Sequence, residues 1–156
     1  MCTYSKNDTL KVAEEDIICY KWMAFYYGDV VYNEKTDSFE PIKSFFTPFL
    51  YKKVDEDILS GKKPFLAEGE IEVRQRSYYN GYINVYGCGL IHTFKSLESF
   101  IKEYGLSLSH RDNVAIFKCK IPKGTKYVEG FDGCGVPCFS STKIEFVEQL
   151  NINDYV

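Results

Sequence analysis

The chain has 156 residues, a mass of 18.1 kDa and a pI near 5.5. That is the length of one domain, with enough chain for one core without metal or disulfide staples. Hydrophobic residues make up 45% and charged residues 26%; aromatics reach 17%, with thirteen Tyr, twelve Phe and one Trp, which excludes a disordered chain. A net charge of −3 excludes a binder relying on a broadly basic surface, so nucleic acid is disfavoured as a partner.

Residues 1–16 are polar and read as a loop or short helical turn. They show no basic start followed by an apolar run, so no secretory signal is expected and the chain is placed in the cytoplasm. Ile17 to Tyr27 is apolar and aromatic, dense in strand formers. Gly28-Asp29 then reads as a tight hairpin turn, with Val30-Val31-Tyr32 as the returning strand. Residues 33–38 are turn-like, and Phe39 to Tyr51, with two prolines, predicts a broken or edge strand. Asp55 to Ser60 predicts a short helix capped by Asp55 and ended by Gly61. Glu70 to Arg76 alternates as a half-buried strand. Asn80-Gly81 follows, so residues 70–79 and 82–86 are expected to pair antiparallel.

Ser96 to Tyr104 is the principal predicted helix. Leu97, Phe100, Ile101 and Tyr104 form one apolar stripe, Ser96 caps the start and Gly105 ends it. Asn113 to Ile121 alternates as a strand, with Ala115, Phe117, Cys119 and Ile121 on one face. Pro122 to Thr125 turns the chain, Tyr127-Val128-Glu129 reads as a short strand, and Gly130 to Gly135 as a glycine-rich loop. Lys143 to Glu148 is a last strand, and the final NINDYV is expected to fray. The sum predicts one α+β domain over residues 1–156. Its sheet is mainly antiparallel, built of short strands, with the helix at about 96–104 packed on it. No membrane span is expected: the longest uncharged run, Ser77 to Phe94, has 18 residues and is broken by Asn80, Gly81, Asn84, Gly87, Gly89 and His92.

Two segments carry a resemblance. One is GLIHTF, residues 89–94, followed by the helix SLESFIKEYG; the other is VAIFKCKIPKGTKYVEG, then a loop, then SSTKIEFVEQL. Over about residues 87–150 the chain resembles small uncharacterised proteins of gut bacteria (Bacteroides-like) and their phages. The resemblance implies a bacterial or phage setting and transfers no activity.

Several constellations bear on chemistry. His92 stands at a strand end before a helix, a frequent place for ligand contacts and equally for a structural imidazole. Cys88 and His92 as Cys-x₃-His, with Cys134 and Cys138 as Cys-x₃-Cys, supply four zinc-type ligands, although metal knuckles usually use a two-residue spacing. Six cysteines (Cys2, Cys19, Cys88, Cys119, Cys134, Cys138) without a secretory signal read as reduced thiols, mostly core, so neither a metal nor any other cofactor is expected. The turn IPKGTK offers Lys123 and the backbone around Gly124 to an anion, without a Walker pattern. Arg74 and Arg76 beside Tyr78, Tyr79, Tyr82 and Tyr86 could stack a ligand or pair across strands. The turn after a strand and a late glutamate are distantly similar to ADP-ribosyltransferase folds. One class there needs an early arginine, and none precedes Arg74. The other uses His, Tyr and Glu in chain order, here His92, Tyr127 and Glu145, which makes a nucleotide-handling enzyme the alternative function. The leading expectation is a small binding or interaction module with a protein or small-ligand partner, and self-association into a homo-oligomer is compatible with its aromatic surplus.

Overall fold

The computed structural model describes residues 3–5, 10–47, 53–69, 78–79, 82–85 and 90–155. Its strands are Thr3–Ser5 (β1), Lys11–Val12 (β2), Ile17–Asn33 (β3), Ser38–Phe46 (β4), Lys53–Val54 (β5), Phe65–Leu66 (β6), Tyr78–Tyr79 (β7), Tyr82–Val85 (β8), Ile91–Phe94 (β9), Val114–Ile121 (β10), Lys126–Phe131 (β11), Pro137–Ser141 (β12) and Lys143–Leu150 (β13). Among the described residues they join in one sheet, in the order β6-β13-β10-β3-β9-β12-β11-β1-β8-β7, with β2 on β11 and β4 between β3 and β5. Every pairing described is antiparallel. Helix α1 is Glu56–Leu59; helix α2 covers residues 97–109. The fold is therefore sheet-dominated, broadly of the α+β kind. Among the described residues no helix is long and apolar enough to cross a membrane.

Strand parity divides the core in two. On one face Cys19, Met23, Ala115, Phe117, Cys119, Ile121, Ile144 and Phe146 meet side chains from α1, β5 and β6, including Ile58, Val54 and Phe65. The opposite face carries Ile116, Phe94 and Cys138 and is covered by Phe100 and Leu108 of α2. The alternation expected over Asn113 to Ile121 is present, but Ile116 on the other face is also fully buried, because the helix covers it.

Local chemistry explains the element ends. The Asp55 carboxylate accepts from the Ile58 N–H at 3.0 Å and starts α1. Gly61 ends it at φ +79, where a Cβ would stand 2.8 Å from the Phe146 carbonyl oxygen. Ser96 caps α2 by accepting from the Ser99 N–H. The expected end at Gly105 is corrected. The chain passes through a π-helical turn, Ile101–Gly105, and continues to Ser109. A glycine inside a helix costs about 1 kcal/mol, and burial of Leu108 beyond it offsets that loss. Past β13, Asn151 caps a short 3₁₀ turn over Ile152–Asp154.

The larger correction concerns Gly28-Asp29, which is no hairpin turn. β3 runs unbroken for 17 residues, so short strands throughout is also corrected. Its pairing with β4 slips by one residue between Tyr27 and Asp29. Gly28, with open space where a Cβ would be, sits in this β-bulge. The turn falls at residues 34–37 instead. There Asn33 accepts from the Lys35 N–H at 3.0 Å, Asp37 takes φ +49, and the Tyr32 hydroxyl donates to the Asp37 carboxylate. These are turn formers doing what their side chains favour. The predicted strand over residues 70–76 and the Asn80-Gly81 turn lie outside the described residues; the flanking pair Tyr79↔Tyr82 is antiparallel, as expected.

Candidate functional site

His92 leaves β9 on the helix-covered face, its ring edge-on to Phe94 at 5.4 Å. Burial first, then the nearby Lys21 ammonium, hold its pKa at about 3. A neutral imidazole of that kind is a weak base and no acid near neutrality. Its ring resonances are expected to stay constant between pH 8 and pH 5 in an NMR titration; a midpoint above pH 5 would show an exposed or charge-paired ring instead.

Lys21 is the group the sequence reading passed over. It stands on the first core face, directly across from Phe117 and two residues from Cys19. Only 7% of it is exposed. Its Nζ donates to the His92 carbonyl oxygen at 2.9 Å. Burial lowers its pKa to about 8, and the Cys19 and Cys119 thiols oppose that shift weakly. Burial also pushes the Cys19 thiol up to about 12 and the Cys119 thiol upward. Both thiols are thus protonated core groups, poor nucleophiles at neutral pH.

The other sequence candidates are dispersed. Tyr127 lies against Phe139 on the first core face at 5.7 Å, opposite to the face of His92. Glu145 is on β13, three strands from β9 in the sheet order, and binds Lys120 at 3.2 Å. His92, Tyr127 and Glu145 therefore do not share one cleft. At the 122–125 turn, the Lys123 N–H donates to the Asp16 carboxylate at 2.9 Å. The Gly124 N–H donates to the Ala13 carbonyl at 2.8 Å and the Thr125 N–H to the Pro122 carbonyl at 3.1 Å. The three backbone donors of the expected anion cradle are engaged, one of them by a carboxylate, and Gly124 serves the turn at φ +84.

Cys134 is exposed and Cys138 buried. Cys138 belongs to the core under α2, while Cys134 lies in a loop organised by Asp132. The buried Asp132 carboxylate accepts from the Cys134 and Val136 N–H groups, each at 2.9 Å, and from the Tyr104 hydroxyl. Among the described residues no group of three His, Cys, Asp or Glu could hold a metal ion. Cys88, Arg74 and Arg76 lie outside the described residues.

The feature that stands out is the outer half of the β3–β4 hairpin. β10 pairs with β3 only as far as Ala24, and β5 meets β4 only at Phe45 and Phe46. Beyond that point, past a last bond from the Phe25 N–H to the Asn113 carbonyl at 2.9 Å, the two strands pair only with each other among the described residues, up to Asn33↔Ser38. Register places Phe25, Tyr27, Val30 and Tyr32 with Phe39, Pro41, Lys43 and Phe45 on one face, continuous with the first core face. A line of ring contacts marks this continuity: Phe146–Phe117, Phe117–Phe45, Phe45–Phe25 and Phe25–Tyr27, at 5.2, 5.4, 5.8 and 6.0 Å. It resumes at the tip with Tyr32–Phe39 at 5.4 Å. The inner rings are covered. The outer side chains are exposed: Tyr27 61%, Val30 60%, Tyr32 46% and Phe39 74%.

Against known proteins, the chain matches no family model, no curated protein and no solved structure.

Proposed function

We propose that this chain is a small binding module that docks a protein partner on the outer β3–β4 ribbon. One observation carries the reading: a contiguous apolar face, an extension of the protein's own core surface, ends uncovered on Tyr27, Val30, Tyr32 and Phe39. Contiguous exposed apolar patches of this kind mark interaction sites, and aromatic side chains are enriched at the centres of protein interfaces. Local charge favours protein over nucleic acid. From Tyr26 to Phe46 the ribbon carries Asp29, Glu34, Asp37 and Glu40 against Lys35 and Lys43, a poor match for a phosphate backbone. The tip is held by the Asn33 and Asp37 side-chain bonds, so little ordering remains to be done on binding. The likeness of residues 87–150 to small proteins of gut bacteria and phages supports a bacterial or phage setting and a cytoplasmic one.

The test is retention of protein by the immobilised chain from a lysate of its source cells, with hydrogen exchange read on the retained complex. Protection over residues 26–33 and 38–43, and loss of retention in Tyr27→Asp and Phe39→Asp, are expected. A partner held equally by both variants, with protection elsewhere, would overturn the reading.

A further inference from the structure

Resting on that docking reading, we propose that the occupant of the ribbon is a second copy of this chain. The two β3–β4 ribbons lie face to face and antiparallel about a two-fold axis passing near Val30 and Pro41.

Three observations lead there. The first is area. With about 150–250 Å² per aromatic ring, the exposed fractions of Tyr27, Val30, Tyr32 and Phe39 leave roughly 450 Å² uncovered on each ribbon. Two ribbons together, with the Pro41 ring and the Lys43 stem on the same face, reach the roughly 1,000 Å² that a specific interface needs. A two-stranded ribbon alone is marginal in water, so each gains cover from the other.

The second is charge. Acidic residues stand in the turn at the tip, where Glu34 and Asp37 accompany Lys35, and Lys43 stands at the root. Lys43 Nζ lies 3.8 Å from the Phe25 ring centroid, on the apolar face itself. An antiparallel two-fold brings each root lysine to the partner's acidic tip, twice over. This self-complementarity is what an isologous interface requires, and a parallel arrangement would set tip acids against tip acids.

The third concerns edges. Among the described residues, no strand pairs with the outer side of β4 from Ser38 to Ser44, which makes it a candidate for strand addition. Pro41 interrupts that edge, lacking the N–H that a continued ladder would use. Faces remain as the surfaces available for pairing.

Sedimentation velocity on the full chain over a concentration series tests this. The wild type is expected to move from one chain toward twice the 18.1 kDa mass across the micromolar range. Phe39→Asp and Val30→Asp should each weaken association at least tenfold, and Val31→Asp, on the opposite ribbon face, should leave it intact. All three positions are exposed, and an unchanged far-ultraviolet circular dichroism spectrum checks that each variant is folded. Lys43→Glu should weaken association more at low salt than at high salt. A wild type that stays monomeric at hundreds of micromolar overturns self-pairing, as does equal weakening by Val31→Asp and Phe39→Asp. A monomer that still requires Phe39 to retain a protein from lysate leaves the docking reading standing. A monomer indifferent to Phe39 in that assay overturns both.

Discussion

Replacing Phe100 with alanine is expected to cost about 3–5 kcal/mol, the range for emptying a large buried ring site. Phe100 is 1% exposed. Its ring lies 4.6 Å from that of Phe94 and 5.7 Å from that of Tyr104. The truncation therefore removes apolar burial and both ring contacts together. Collapse around the cavity is opposed from two sides. Phe94 is fixed in β9 between β12 and β3, and the Tyr104 hydroxyl is tied to the Asp132 carboxylate, which also holds the 132–136 loop. Since proteins of this size are stable by about 5–15 kcal/mol, urea unfolding should show a large fall in midpoint with unchanged slope. A loss under about 1 kcal/mol would mean that α2 does not seal this face.

Lys21→Met should act with the opposite sign. Folding moves Lys21 from water into the first core face and lowers its pKa from the ordinary 10.5 to about 8. Between those values the unfolded chain binds a proton that the folded chain does not, so the lysine makes stability rise with pH. Below pH 8 the folded protein carries a buried ammonium at a cost of about 3 kcal/mol, from 1.36 kcal/mol per unit. Methionine removes that cost and keeps the volume, but leaves the His92 carbonyl without its donor, worth about 1 kcal/mol. A net gain of about 2 kcal/mol at pH 7 is expected, shrinking as pH rises from 8 toward 10.5. Cys19, pushed up to about 12 by burial, works the other way above pH 9, but it is common to both proteins and cancels in their difference. Denaturant unfolding of both chains at pH 7 and pH 10 checks the sign. A variant less stable than wild type at pH 7 would show that the ammonium is favourably placed where it is.

Much of the scaffold was legible where one residue's chemistry decides one position. Asp55 and Ser96 accept the N–H bonds that start their helices, and Gly61 takes the conformation other residues resist. The alternation in β10 was readable because period two leaves few alternatives. What failed depended on partners distant in sequence. Gly105 has the look of a helix end, but the apolar side chain of Leu108 beyond it finds a sheet to cover. Gly28-Asp29 has the composition of a turn, yet an open hairpin partner runs past it on β4. Lys21 was overlooked because a single cation in an apolar run ordinarily faces water, although its parity with Cys19 and Met23 put it on the inward side. The docking ribbon was legible only as an aromatic surplus. Whether Tyr27 or Phe39 is core or surface depends on how far the neighbouring strands extend, and no local pattern contains that.

The bulge at Gly28 sets the handedness of this surface by odd and even count. Up to Tyr27 the odd-numbered residues of β3 face the core; past the surplus residue, the even-numbered Val30 and Tyr32 take over that side. A strand that paired Gly28 as an ordinary ladder residue would keep nearly the same hairpin and present the wrong residues. Asp29 and Val31 would then join Phe39 and Pro41, and Tyr32 would lose its contact with Phe39. A single backbone unit of extra length thus acts as a phase shift that keeps one side of the ribbon greasy from root to tip.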